Sequence, residues 1–172
     1  MRPRLLALPL GALTVMVVGG AHPPPAEPTG GSPPARLAWP LSTGWVTTQP
    51  YGCTDFSLEP AAPWCSTGHI HTGVDMAAPV GTPVHAAAPG AARVAENPEG
   101  YGLYVVVEHG GGLATLYGHL DSTALRGGGT VAAGQELGRV GSSGLSTGPH
   151  LHFEVRRDGR PVDPTPWLPA NR

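Results

Sequence analysis

Apolar residues recur along this chain in short runs, each closed by a glycine or proline turn. The runs cover 81–85, 90–95, 103–108, 113–116, 136–140 and 150–155. Between them lie Pro89-Gly90, Asn97-Pro98, His109-Gly110-Gly111-Gly112, Gly127-Gly128-Gly129 and Gly141-Ser142-Ser143-Gly144. Runs of this length and spacing predict strands, and no segment sustains a helical period. The expected fold is all-β: a small two-sheet antiparallel sandwich or open barrel. A composition with 26 Gly, 21 Pro and only 6% aromatics points the same way.

The pattern changes at the N-terminus. Arg2 and Arg4 precede an apolar run from Leu5 to Val18, and Gly19-Gly20-Ala21 follows with small residues suited to cleavage. Residues 1–21 therefore read as a signal peptide. The rival reading, a retained anchor, needs about 20 apolar residues, and this run is shorter and contains Pro9. Residues 22–37 read as a Pro-rich, extended or disordered spacer that includes His22; six of its first fifteen residues are Pro. The folded domain is expected over 38–170, with no stable membrane span once the signal is cleaved. An exported protein is expected, secreted or associated with the cell wall, or periplasmic if the source has an outer membrane.

All ten basic residues are Arg, against twelve acids. Loss of residues 1–21 removes two of the arginines and leaves a net charge of 8 − 12 = −4. That balance argues against nucleic acid or an anionic membrane surface as the main partner.

Cys53 and Cys65 are the only cysteines. In an exported chain, two cysteines twelve residues apart are expected to form a disulfide. Closing that loop would contribute roughly 3 kcal/mol on the chain-entropy view, and would pin the segment leading to His71. The rival reading makes the thiols zinc ligands. It is weaker, because an oxidising compartment consumes thiols.

Two histidine clusters carry the chemistry: His71-Thr72-Gly73-Val74-Asp75, and Ser146 to Glu154 with His150 and His152. Two imidazoles and a carboxylate drawn from them could share one zinc ion and leave a fourth position for water, as catalytic zinc sites do. His150 and His152 stand two apart at the start of a strand, so both project to one face. One could bind metal while the other stands beside it. Gly73 between His71 and Asp75 argues for a turn. A lone histidine is usually a surface or hydrogen-bonded core residue; this many histidines with an Asp, in a chain only 13% charged, favour a site.

The chain resembles the lysostaphin-type zinc peptidases, also called the LytM or M23 peptidases, which cut peptide bonds in bacterial peptidoglycan. The resemblance runs from about Gly44 to Trp167. It rests on four motifs in order: His71 to Asp75, Gly81 to Gly90, Leu116-Tyr117-Gly118-His119-Leu120, and Gly141 to Glu154. It implies one zinc per chain on His71, Asp75 and His152, with His119 and His150 as the catalytic pair. It further implies a zinc endopeptidase with peptidoglycan stem peptides and cross-bridges as partners; a monomer is expected. Tyr117 could assist His119 or could face the core. His69 could stand behind His71, and His109 sits in a glycine turn. The chain departs from the family pattern at His85, Leu103 and Glu108, where Tyr, Asn and Asp are frequent. None touches a proposed ligand, and Leu103 and His85 leave the groove's substrate contacts open.

Two other motif readings fit less well. Gly144-Leu-Ser146-Thr-Gly148 fits the G-x-S-x-G pattern of serine hydrolases, but Pro149 follows and no His lies beyond His152. No H-E-x-x-H helix motif occurs. A non-catalytic wall-binding or regulatory module is the second function class, and relatives of that kind typically lack metal ligands. All five site residues stand in this chain.

Overall fold

A computed structural model describes residues 36–170. The expected signal peptide, His22 and nearly all of the expected spacer lie outside the described residues. The ordered core reaches back to Leu37, the last residue of the expected spacer: it is buried, and its N–H donates to the Trp167 carbonyl at 3.0 Å.

Twelve strands follow in order: β1 (Val46–Gln49), β2 (Gly52–Thr54), β3 (His69–His71), β4 (Val74–Ala77), β5 (Pro83–His85) and β6 (Gly90–Asn97), then β7 (Gly102–Gly110), β8 (Leu113–Thr123), β9 (Gly128–Val131), β10 (Glu136–Val140), β11 (His150–Arg157) and β12 (Arg160–Val162). A short 3-10 turn at Thr165–Trp167 is the one helical element among the described residues. The all-β antiparallel expectation holds. One ten-stranded sheet runs β1-β4-β11-β8-β7-β6-β9, and a second sheet is the β2-β3 ribbon.

The large sheet branches at β8. Its first part pairs with β11 and β7, while Leu120 to Thr123 pair with β10, which in turn pairs with β5. Val84 of β5, Leu137 of β10, Val107 of β7 and Phe153 of β11 fall in one apolar cluster. The branches therefore close over a shared core without forming a closed barrel. Strands that alternate inward and outward residues leave one face for that core and the other for the site.

Six strands went unmarked by the apolar runs. β9 lies in the triple-glycine stretch expected to be a break: Gly128 and Gly129 pair with Arg93 and Ala92 of β6. A Cβ on Gly128 would lie 2.6 Å from the Ala92 carbonyl oxygen, so close approach, and not a turn, selects glycine there. β3 and β4 flank Gly73, and polar residues, His69 and His71 in β3 and Asp75 in β4, interrupt the apolar run that would have announced them.

Cys53 and Cys65 are disulfide-bonded with Cα atoms 5.5 Å apart. The bridge closes the loop that leaves β2 and returns to β3, so the ribbon and the bridge together anchor His71.

Candidate metal centre and active site

Asp75 on β4 pairs directly across the sheet with His152 on β11, which pairs on its other side with Gly118 of β8. His71 enters from the end of β3. Gly73 makes the connection possible, because a Cβ there would lie 2.4 Å from the Phe153 carbonyl oxygen and 3.0 Å from the His152 ring. The glycine thus lets the His71–Asp75 turn lie flat against β11.

The three side chains converge. His71 Nε2 lies 3.1 Å from Asp75 Oδ1 and 3.1 Å from His152 Nδ1, and His152 Nδ1 lies 2.8 Å from Asp75 Oδ1. All three residues are buried. On its outer side, His71 Nδ1 donates to the Pro50 carbonyl at 2.9 Å, and His152 Nε2 donates to Glu154 Oε1 at 3.2 Å. Those outer acceptors hold the ring protons, so the inner nitrogens carry lone pairs. Two lone pairs and a carboxylate facing one another repel unless a cation or a proton sits among them. Two nitrogens and one oxygen with space for a further ligand suit zinc. Among the described residues, this is the one group of three such side chains whose donor atoms gather so closely.

The electrostatics reflect that crowding. Burial favours the neutral carboxyl of Asp75, but its close contacts with His152 and His71 outweigh it and hold Asp75 well below the usual carboxylate range. Burial likewise disfavours a charged His152, yet its bonds to Asp75 and Glu154 raise it to about 9.

His119 and His150 flank this group, their rings 4.6 Å apart. His150 follows from strand geometry, two residues from His152 on the same face. His119 does not. Tyr117, two residues earlier, is fully buried against Phe153, and its hydroxyl accepts the Ala87 N–H and the Thr115 hydroxyl. Strand alternation would send His119 inward after it. Instead His119 adopts φ +59°, its N–H donates to the Tyr101 carbonyl at 2.7 Å, and the ring turns to the groove. Tyr117 is therefore a core residue and takes no part in the site.

His119 Nδ1 donates to the Ser143 carbonyl at 2.8 Å and leaves Nε2 free to accept. Burial pushes its pKa down to about 4, against the pull of Ser143 and with the neighbouring His150 adding to the fall. The ring is neutral at pH 7. His150 Nδ1 donates to the Gly148 carbonyl at 2.8 Å, and its Nε2 lies 3.6 Å from Asp75 Oδ2.

The centre opens into a cavity of about 390 Å³. Phe56, Leu58 and Glu59 of the disulfide loop line one part of it, Leu145 and Ser146 another. Burial raises the Glu59 carboxyl above its ordinary range, opposed by the nearby His71 and His152, and the Gln49 amide donates to it at 3.3 Å. No arginine lines this cavity. His85, Leu103 and Glu108, the departures from the family pattern, do not line it either.

The remaining candidates lie elsewhere or play other parts. His69 Nδ1 donates to the Glu59 carbonyl at 2.8 Å, which braces the disulfide loop and leaves His71 to Pro50. His109 bonds Pro89 and Thr115. The Ser146 hydroxyl donates to the Gly148 carbonyl, which also accepts from His150 Nδ1. His150 Nδ1 lies 3.4 Å from that hydroxyl but spends its proton on the Gly148 carbonyl and cannot accept one, so the serine-hydrolase reading fails on geometry as well as on order. Sequence reasoning missed Glu154, Tyr101, Thr72, Arg156 and Ser143. Glu154 alone gave a signal: an acid two residues after His152 in an otherwise apolar strand.

Three comparisons agree with this geometry. The family model described as Peptidase family M23 matches residues 69–164, more than half of the chain. The DD-carboxypeptidase/endopeptidase Mpg of Neisseria meningitidis is 47% identical over 102 residues, 59% of this chain and 24% of that protein. The murein hydrolase activator EnvC of Escherichia coli is 48% identical over 96 residues, 56% of this chain and 23% of that protein. The chain thus spans about a quarter of the length of these relatives. Among solved structures, the catalytic domain of the prophage-encoded M23 protein EnpA from Enterococcus faecalis superposes with a TM-score of 0.63. It is 37% identical, over 75% of this chain and 95% of that one.

Proposed function

Because the chain belongs to peptidase family M23, we propose that it is an exported zinc endopeptidase that hydrolyses peptide bonds in the cross-links or bridges of peptidoglycan. One observation carries the reading. Three metal-compatible acceptors converge within 3.1 Å, and two further histidines turn toward the same groove.

In this reading His71, Asp75 and His152 hold one zinc ion. Bound there, zinc supplies a Lewis acid that lowers the pKa of water to about 7 and polarises a carbonyl. His119, neutral and with Nε2 free, accepts a proton from the attacking water and later returns it to the leaving amine. His150, with Nε2 3.6 Å from Asp75 Oδ2 beside the same groove, stands where it can contact the oxyanion that develops. The disulfide loop and the 145–148 turn shape the walls against which a peptide would lie.

The likeness to EnvC, an activator, supports a second reading: a regulatory module that binds without cleaving. Digestion of purified sacculi of several cross-link types, with mass analysis of the products, separates the two. New amino groups without new reducing sugars are expected for the peptidase. A protein that holds zinc and binds sacculi yet releases no amine from any cross-link type would favour the activator.

A further inference from the structure

Behind His152, away from the groove, Glu154 lies on the same strand and face and is fully buried. A buried carboxylate is costly unless it is well partnered. Here Oε1 accepts from the Thr72 hydroxyl at 2.6 Å, the Tyr101 hydroxyl at 2.7 Å and His152 Nε2 at 3.2 Å. Oε2 accepts from Arg156 Nε at 2.6 Å.

A structural ion pair with Arg156 would need only Oε2. Instead, three donors from three parts of the chain meet on Oε1. Tyr101 has three attachments: its hydroxyl holds Glu154, its ring lies 5.5 Å from the His152 ring, and its carbonyl takes the N–H of His119. Arg156 Nη2 also donates to the Tyr101 hydroxyl at 3.2 Å, and the guanidinium lies over the tyrosine ring.

We propose that Glu154 is a positioning residue for the metal centre, holding the His152 proton on Nε2 so that Nδ1 faces the ion. Tyr101 ties that carboxylate to the turn carrying His119. The inference rests on the zinc reading above. If the tautomer were reversed, the inner nitrogen would carry a proton and could not bind a metal. Arg156 offsets the Glu154 charge, so the carboxylate orients the ring without cancelling the charge of a divalent ion.

Glu154→Gln keeps the volume but not the acceptors. With its oxygen left toward the three donors, the amide NH2 meets the Arg156 N–H. Flipped, it donates to His152 Nε2 and favours the wrong tautomer.

The test compares the wild-type chain, Glu154→Gln and Tyr101→Phe. Zinc Kd is read by competition with a chromophoric chelator, thermal unfolding of the zinc-free forms checks the fold, and long-range ¹H–¹⁵N correlation of the zinc-loaded proteins reads the His152 tautomer. Glu154→Gln is expected to weaken zinc about 10- to 100-fold, and Tyr101→Phe several-fold. Wild-type Kd and tautomer in a folded Glu154→Gln would overturn the proposal. If Glu154→Gln does not fold, Tyr101→Phe decides, and an unchanged zinc Kd there overturns it. Zinc in the wild type with unaltered variants rejects this inference alone, whereas no zinc in the wild type rejects both it and the peptidase reading.

Discussion

Asp75 and His152 face each other across β4 and β11, with His152 Nδ1 2.8 Å from Asp75 Oδ1. Sheet register alone brings these two together, so two of the three proposed ligands are placed before any loop contributes. His71 must then be delivered to them by the turn at Gly73. One zinc per chain is expected, lost when His71, Asp75 or His152 is replaced by Ala. Elemental analysis of the purified variants is the check, and full zinc in His152→Ala would reject the ligand set.

Zinc uptake should depend on pH with a definite sign. His152 is raised to about 9 in the zinc-free protein, from an ordinary value near 6.5. Its protonated form therefore stabilises the zinc-free fold below pH 6.5, and that contribution is lost as the pH rises through about 9. Zinc must displace the same proton. Apparent affinity is expected to rise about tenfold per pH unit between 6.5 and 9, then flatten. Titration calorimetry at pH 7 in buffers of differing ionisation enthalpy should find close to one proton released. Affinity that does not change over that range would contradict the assignment.

The Cys53–Cys65 bridge closes the loop that carries Phe56, Leu58 and Glu59 to the cavity. Replacing both cysteines with Ser should cost roughly 3 kcal/mol of stability, read by chemical denaturation. Cleavage should fall further than stability accounts for, because the same loop lines the cavity beside His71. A double variant as stable and as active as wild type would remove the bridge from both roles.

Gly73→Ala is a sharper probe of the same corner. The added methyl would press on the Phe153 carbonyl and the His152 ring, both backed by the core. Loss of zinc with little loss of secondary structure, followed by elemental analysis and circular dichroism, is the expected outcome. Normal zinc content would mean that the turn gives way freely.

Much of this was legible in the chain. Apolar runs located β5, β6, β7, β8, β10 and β11, and the spacing of His150 and His152 put both on one face. Three things were not. β9 hid inside glycines, because a glycine chosen for close approach reads like one chosen for a turn. Tyr117 and His119 share a parity in β8 yet face opposite ways, since the positive φ at His119 breaks the alternation that pattern reading assumes. Tyr101 and Arg156 belong to the centre through a buried carboxylate, a tertiary relationship with no local spacing to announce it.

His119 and His150 allow the enzyme reading to be tested apart from metal binding. Neither supplies one of the three convergent donor atoms, so each can be changed while the proposed zinc ligands remain. His119 hangs from the Ser143 carbonyl and His150 from the Gly148 carbonyl, and neither anchor is shared with His71. Replacing either by Ala should leave zinc content near one per chain. Turnover should fall about 100- to 10,000-fold, as expected for loss of a proton-transfer group. The loss belongs in kcat more than in KM, because these roles are exercised in the transition state. Clearing of sacculi by wild type, His119→Ala and His150→Ala, with zinc measured in each, reads both quantities. Variants that retain zinc and still cleave like wild type would place the base elsewhere in the groove and overturn the mechanism.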